Sequence, residues 1–291
     1  MPKTPRHASH DGFLLPLGFP VEGFVSGLSY EAQASDVFVS TYPKCGTTWM
    51  QHIVWLLADG GRPLRADQRM TEAFPHLEEV GRELVERRPE PRLIKTHLGF
   101  SLTPHHPRAR YIWVARNPFD CAVSFFHHTR GFVQHYDFAD GTFDDFFECF
   151  IDGRVDFGSY FDHLASWGAR RDAPNLLFTT FEAMRADPRG VVVEVGRFLG
   201  GAFEASVDDP AVLERVLAHS SFASMREDQQ RWSSARAADA PPFVRKGEVG
   251  DWESCFSSEQ AHRMVAKLEA CTAGTWMADL WSDTVERARS R

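Results

Sequence analysis

The stretch "DVFVSTYPKCGTTW" (36–49) decides the fold. Its first part, "DVFVSTY" (36–42), is a short β-branched apolar run. Its end opens "TTWMQHIVWLLADG" (47–60), where apolar residues recur at helical spacing. A buried strand therefore passes through "PKCG" (43–46) into a helix. The N–H groups of Gly46, Thr47 and Thr48 would face an anion at that helix's N-terminus, and Gly46 would let the backbone come close. A nucleotide-binding loop of the GxxxxGK[ST] type places its lysine after the last glycine, but here Lys44 stands two residues before Gly46. The Lys-Ser/Thr pair that would hold a β/γ-phosphate and Mg²⁺ is missing, so the loop looks built for an anion without a metal. The plain alternative is a capped helix start with Thr47 or Thr48 as N-cap.

Working outward, "PRLIKTH" (91–97), "ARYIWVAR" (109–116) and "NLLFTTF" (175–181) also read as buried strands. Helical patterns lie at 118–130, 142–153 and 158–171. Short buried strands separated by helices imply one α/β domain, with a central parallel sheet covered by helices on both faces and ligands beyond the carboxyl ends of the strands. A chain of 291 residues, 43% of them hydrophobic, suits one such domain. We divide it into an N-terminal segment (1–35), the domain proper (36–270) and a C-terminal tail (271–291). The polar, Ala/Pro-rich stretch 226–252 reads as a long loop, of the kind that serves as a lid or binding loop.

The net charge of −8 argues against nucleic acid or an anionic membrane as partner, because nonspecific binding there needs an excess of cations. No apolar run approaches the ~20 residues of a membrane helix. Five scattered cysteines without a CxxC pair indicate neither a disulfide framework nor a zinc knuckle, which suits a reducing cytoplasm.

Basic residues are more informative by type. Of 32 Lys plus Arg only five are lysine, at positions 3, 44, 95, 246 and 267. A chain that uses arginine for generic charge but keeps Lys44, Lys95 and Lys246 at strand ends and loops has placed compact point charges there. In "KTH" (95–97), His97 sits at a strand's carboxyl end, where an imidazole suits a general base at neutral pH. In "RNPFDCAVS" (116–124), Arg116 can clamp a phosphate with the Ser124 hydroxyl completing the shell, although Asn-Pro is also an ordinary helix start. In "FVRKGEVGDW" (243–252), Arg245, Lys246 and Gly247 come together, either as an anion site or as a solvated charge cluster.

Together "TYPKCGTTW", "KTH", "RNPFDCAVSFFHH" and "FVRKGEVGDW", in this order and spacing, resemble the cytosolic sulfotransferases that use 3′-phosphoadenosine 5′-phosphosulfate (PAPS) as donor. Weaker echoes at 157–167, 176–188 and 219–225 extend the similarity over most of the chain. The resemblance implies that the segment Lys44, Cys45, Gly46, Thr47, Thr48 and Trp49 holds the donor's 5′-phosphate, with Trp49 stacked on adenine. It implies that Arg116, Ser124, Arg245, Lys246 and Gly247, flanked by Phe243 and Val244, hold the 3′-phosphate. Phe181, Ser220, Ser221, Phe222 and Met225 would line the adenine site. His97 would be the catalytic base, with Lys44 and Lys95 neutralising the leaving phosphate and the transferring sulfuryl group. The product would be 3′-phosphoadenosine 5′-phosphate (PAP), and no metal is implied.

Three departures stand out. Cys45 replaces a frequent serine that is thought to restrain the loop lysine. Phe181 replaces a frequent tyrosine. "ESCFSSEQAH" (253–262) does not match the family's dimer motif, leaving the oligomeric state open. The expected acceptor is a small, partly apolar phenol, alcohol or amine, in a pocket of Phe74, His76, Phe100 and His128, with Phe126 and Phe132 nearby. His76 and His128 fall where relatives often have phenylalanine, so they contact a polar acceptor or are satisfied core histidines. Two rivals stay open: a Mg²⁺-dependent P-loop kinase and a nucleotide sensor without catalysis.

Overall fold

Aspartate followed by glycine at 11–12 is the turn that the N-terminal segment is built on. Asp11 and Gly12 take φ of 48° and 82°, and a two-residue turn with both angles positive closes a hairpin of β1 (His7–His10) and β2 (Phe13–Pro16). The computed structural model describes residues 3–227, 229–232, 242 and 244–291. After the hairpin and the Val21–Leu28 helix come the four strands read from the sequence, β3 (Val37–Thr41), β4 (Leu93–Thr96), β5 (Arg110–Ala115) and β6 (Leu176–Thr180). They form one parallel sheet in the order β4-β3-β5-β6.

The strands read as continuous apolar runs because both faces are covered. Val37 and Val39 of β3, with Ile112 and Val114 of β5, turn to one face. There they pack on Met50 and Ile53 of the Thr47–Ala58 helix and on helices Pro188–Leu199, Gly201–Asp208 and Pro210–His219. Phe38, Tyr111 and Trp113 turn to the other face, against helices Pro118–Gly131, Tyr160–Gly168 and Ser258–Thr272. Alternation along a strand thus feeds two cores, and each fully buried large side chain contributes about 1.5–3 kcal/mol. Trp281, in the last twenty residues, joins the second core and donates from Nε1 to Glu182.

Residues 226–252 are less bare than their composition suggests. The Phe222–Glu227 helix runs into them, and 3₁₀ turns form at Gln229–Trp232 and Asp251–Ser254. Phe243 lies outside the described residues. From β3 the chain crosses first to β4 on one side and then back over to β5 on the other. The loops after β3, β4, β5 and β6 therefore meet at the carboxyl edge where an α/β sheet offers a crevice.

Candidate active site

The loop after β3 is held in a conformation that few side chains accept. Lys44 has φ 69° and Gly46 φ 95°, and a Cβ on Gly46 would lie 3.0 Å from the Phe181 ring. Gly46, rather than Thr47 or Thr48, is the N-cap of the Thr47–Ala58 helix, and no side chain caps that end. The first intrahelical bond runs from the Met50 N–H to the Gly46 carbonyl, so the donors of Thr47, Thr48 and Trp49 precede the ladder. Thr47 uses its hydroxyl elsewhere, bonding Thr41 Oγ1 at 2.6 Å.

Cys45 corrects an expectation. Between two residues of positive φ its side chain turns into the core, where it is fully buried and donates to Cys121 Sγ at 3.7 Å, while Cys121 donates to the Pro43 carbonyl. Burial pushes its thiol pKa up, so it stays neutral, and it does not line the cavity beside Lys44. Its part in an anion site is confined to its backbone.

Arg116, at the end of β5, ties the loops together. It donates to the carbonyls of Lys44 (3.3 Å) and Glu248 (3.0 Å), and its guanidinium lies 4.2 Å from the Phe181 ring centroid. The chain just after Arg245–Glu248, at Gly250 and Trp252, is anchored by Asp120, which the sequence did not single out. This buried carboxylate accepts from Gly250 N–H (2.8 Å), Trp252 N–H (3.0 Å) and Asn117 Nδ2 (2.9 Å). Arg245 and Lys246 both pair with Asp251, whose own carboxyl, which burial alone would raise, is held low by the two cations.

His97 is nine-tenths buried at the end of β4. Its Nδ1 lies 2.8 Å from the Thr41 carbonyl oxygen, which can only accept, so the proton sits on Nδ1 and Nε2 carries the lone pair. Burial first, then Lys95 and His76, lowers its pKa well below the usual imidazole range, which keeps it neutral at pH 7. Its backbone N–H donates to Glu78 Oε1 at 2.6 Å, and the Thr96 hydroxyl donates to the same oxygen at 2.8 Å. Glu78 is fully buried. Burial alone would raise its carboxyl, but His76, 3.4 Å away, and the backbone N–H of His97 hold it down. Lys95 has its pKa lowered by burial, against the pull of Glu79 and Glu78.

These parts surround one cavity of about 290 Å³. At one end are Lys44, Gly46, Thr47, Thr48, Trp49, Arg116, Ser124, Phe181, Phe222, Met225 and Val244 through Gly247. At the other are Phe74, His76, Lys95, His97, His128 and Phe132. Besides Cys45, four expected residues are elsewhere. Phe100 packs on His105 and Trp167, and Phe126 on Phe143 and Phe146. The Ser220 hydroxyl donates to the Val216 carbonyl, and Ser221 accepts from the Ser224 N–H. Arg185, Glu79, His135, Tyr136 and Asp156 line the cavity without having been singled out. Arg185 could have been found, because it stands one helical turn after Phe181 and so shares its face.

A family model described as "Sulfotransferase domain" matches residues 34–279. Human sulfotransferase 1C2 is 33% identical over 250 residues, covering 81% of this chain and 82% of that protein. The chain belongs to the sulfotransferase family. Mouse sulfotransferase 6B1 is likewise 33% identical, over 86% of this chain and 80% of its own length. The crystal structure of mouse sulfotransferase SULT7A1 complexed with PAP superposes with a TM-score of 0.79 at 26% identity, covering 98% and 99% of the two chains. Retinol dehydratase, at 22% identity and a TM-score of 0.75, shares the fold. In this sulfotransferase, then, the early-lysine loop, the buried imidazole and the arginine-lysine segment meet at one cavity on the sheet's carboxyl edge. Among the described residues no group of His, Cys, Asp and Glu could hold a metal ion, and no helix is long and apolar enough to cross a membrane.

Proposed function

We propose that this sulfotransferase moves the sulfuryl group of PAPS to a hydroxyl of a small, partly apolar acceptor, with His97 as general base. The observation that carries the assignment of the base is the fixed tautomer. The Thr41 carbonyl holds the Nδ1 proton, so Nε2 offers its lone pair to the cavity's contents. His97 takes the acceptor's proton as the acceptor oxygen bonds sulfur, and the bond from sulfur to the bridging oxygen of the 5′-phosphate breaks. Lys44 and the uncapped N–H groups of Thr47 and Thr48 stabilise the charge growing on the leaving phosphate. Preorganised donors of this kind are worth roughly 3–4 kcal/mol each in a transition state. Lys95 faces the sulfuryl oxygens.

Arg116, Ser124, Arg245, Lys246 and Gly247 would hold the 3′-phosphate, with Trp49, Phe181 and Phe222 against adenine. Asp251 then competes with that phosphate for Arg245 and Lys246. The test is mass spectrometry of phenols, alcohols and amines incubated with the enzyme and PAPS. A product heavier by one sulfuryl group, formed in the presence of a chelator, is expected. No product across the panel would refute the proposal.

A further inference from the structure

Asp156 is a carboxylate at the acceptor end of the cavity that the reaction does not use. It is 2% exposed. Oδ2 accepts from the Tyr136 hydroxyl at 3.0 Å, but Oδ1 has no hydrogen-bond partner. The group paired with Oδ1 is His7 Nε2, 3.7 Å away, too far for a hydrogen bond and itself unpartnered. A buried carboxylate satisfied on one oxygen only is costly, and a ligand group entering the cavity can supply the missing donor.

The backbone shows that this placement is built. Asp156 and Phe157 sit in a turn closed by the Gly158 N–H on the Val155 carbonyl, and both line the cavity. Phe157 has φ 62°, a conformation disfavoured for an aromatic residue, and is pinned there by its N–H on the Leu14 carbonyl of β2. Its ring lies 5.0 Å from that of His97 and 6.1 Å from that of Phe19. One strained residue thus sets an aromatic wall beside the base and a carboxylate next to that wall.

We propose that Asp156 selects acceptors carrying a protonated amine remote from the hydroxyl that is sulfated, a class of which para-(aminoalkyl)phenols are the simplest members. This rests on the sulfuryl-transfer reading above. The ring of such an acceptor packs on Phe157, its hydroxyl meets His97, and its ammonium donates to Asp156 Oδ1.

The test compares kcat/KM with PAPS at neutral pH for tyramine and para-propylphenol, which differ by an ammonium in place of a methyl. The wild-type protein is expected to prefer tyramine by about tenfold or more, as a charge-assisted hydrogen bond allows. Asp156→Asn should erase or invert that ratio. Tyr136→Phe keeps the carboxylate and should keep the preference, which guards against reading a general packing defect as loss of recognition. Equal use of both phenols by the wild-type protein, or an unchanged ratio in Asp156→Asn, overturns the inference while leaving the transferase reading intact. Sulfation of neither also overturns the inference, and the wider acceptor panel then decides the transferase reading separately.

Discussion

Replacing His97 by alanine separates chemistry from donor binding. The ring is buried between His76 and Phe157, each with its centroid 5.0 Å away, and its one side-chain anchor within 3 Å is the Thr41 carbonyl. Loss of a general base typically costs about 10²–10⁴-fold, equivalent to roughly 3–5 kcal/mol of barrier. The Arg116, Phe181 and Asp120 contacts that shape the donor end do not involve His97, so PAP affinity in calorimetry should stay within about twofold. Folding stability should drop by about 1–3 kcal/mol, because the Thr41 carbonyl loses its donor in a buried place. The assay is single-turnover sulfation with saturating PAPS, run beside PAP calorimetry. Added imidazole should restore part of the rate by entering the vacated space. A rate within about threefold of wild type, with PAP still bound, would refute the assignment of the base.

Asp120→Ala leaves two backbone N–H groups and the Asn117 amide without their acceptor, so thermal stability should fall by about 3 kcal/mol or more and PAP binding should weaken at least about tenfold; an unchanged dissociation constant would detach Asp120 from the donor segment. Gly46→Ala puts a methyl 3.0 Å from Phe181 at φ 95°, so chemical denaturation should report a loss of about 1–2 kcal/mol and calorimetry a weaker donor site. Acid should destabilise the fold early: burial lowers the pKa of His52 to about 4 and of His163 to about 3 from 6.5, so the unfolded chain binds more protons below pH 6.5 and stability falls as pH drops through that window. His52 alone accounts for about 3 kcal/mol between pH 6.5 and 4, and His52→Phe should flatten the pH dependence of the unfolding midpoint there.

The sheet was legible because strands covered on both faces cannot alternate polar and apolar, and the resulting runs at 36–42, 91–97, 109–116 and 175–181 stand out. The N-terminal hairpin was equally local, because Asp11-Gly12 is a turn signal in its own right. The donor-end residues were legible because a strand-end lysine in a chain that otherwise uses arginine is a chemical choice, and their meeting follows from parallel strands ending on one edge.

Other residues were not legible, because their direction or partner is set by the folded backbone. Phe100 and Phe126 look like pocket aromatics in a list, but they turn to the core once a 3₁₀ turn and a helix fix their directions. Ser220 spends its hydroxyl on its own helix.

By itself the sequence determined the four strands, the early-lysine loop and His97 as candidate base, since these depend on local pattern and on chemistry written into residue type. Only the tertiary structure decided which nitrogen of His97 carries the proton, that Cys45 faces Cys121 instead of Lys44, and that Asp156 enters the cavity. Each of these depends on a partner 56 to 149 residues away or on a backbone angle such as φ 62° at Phe157, and neither is encoded in the neighbouring letters.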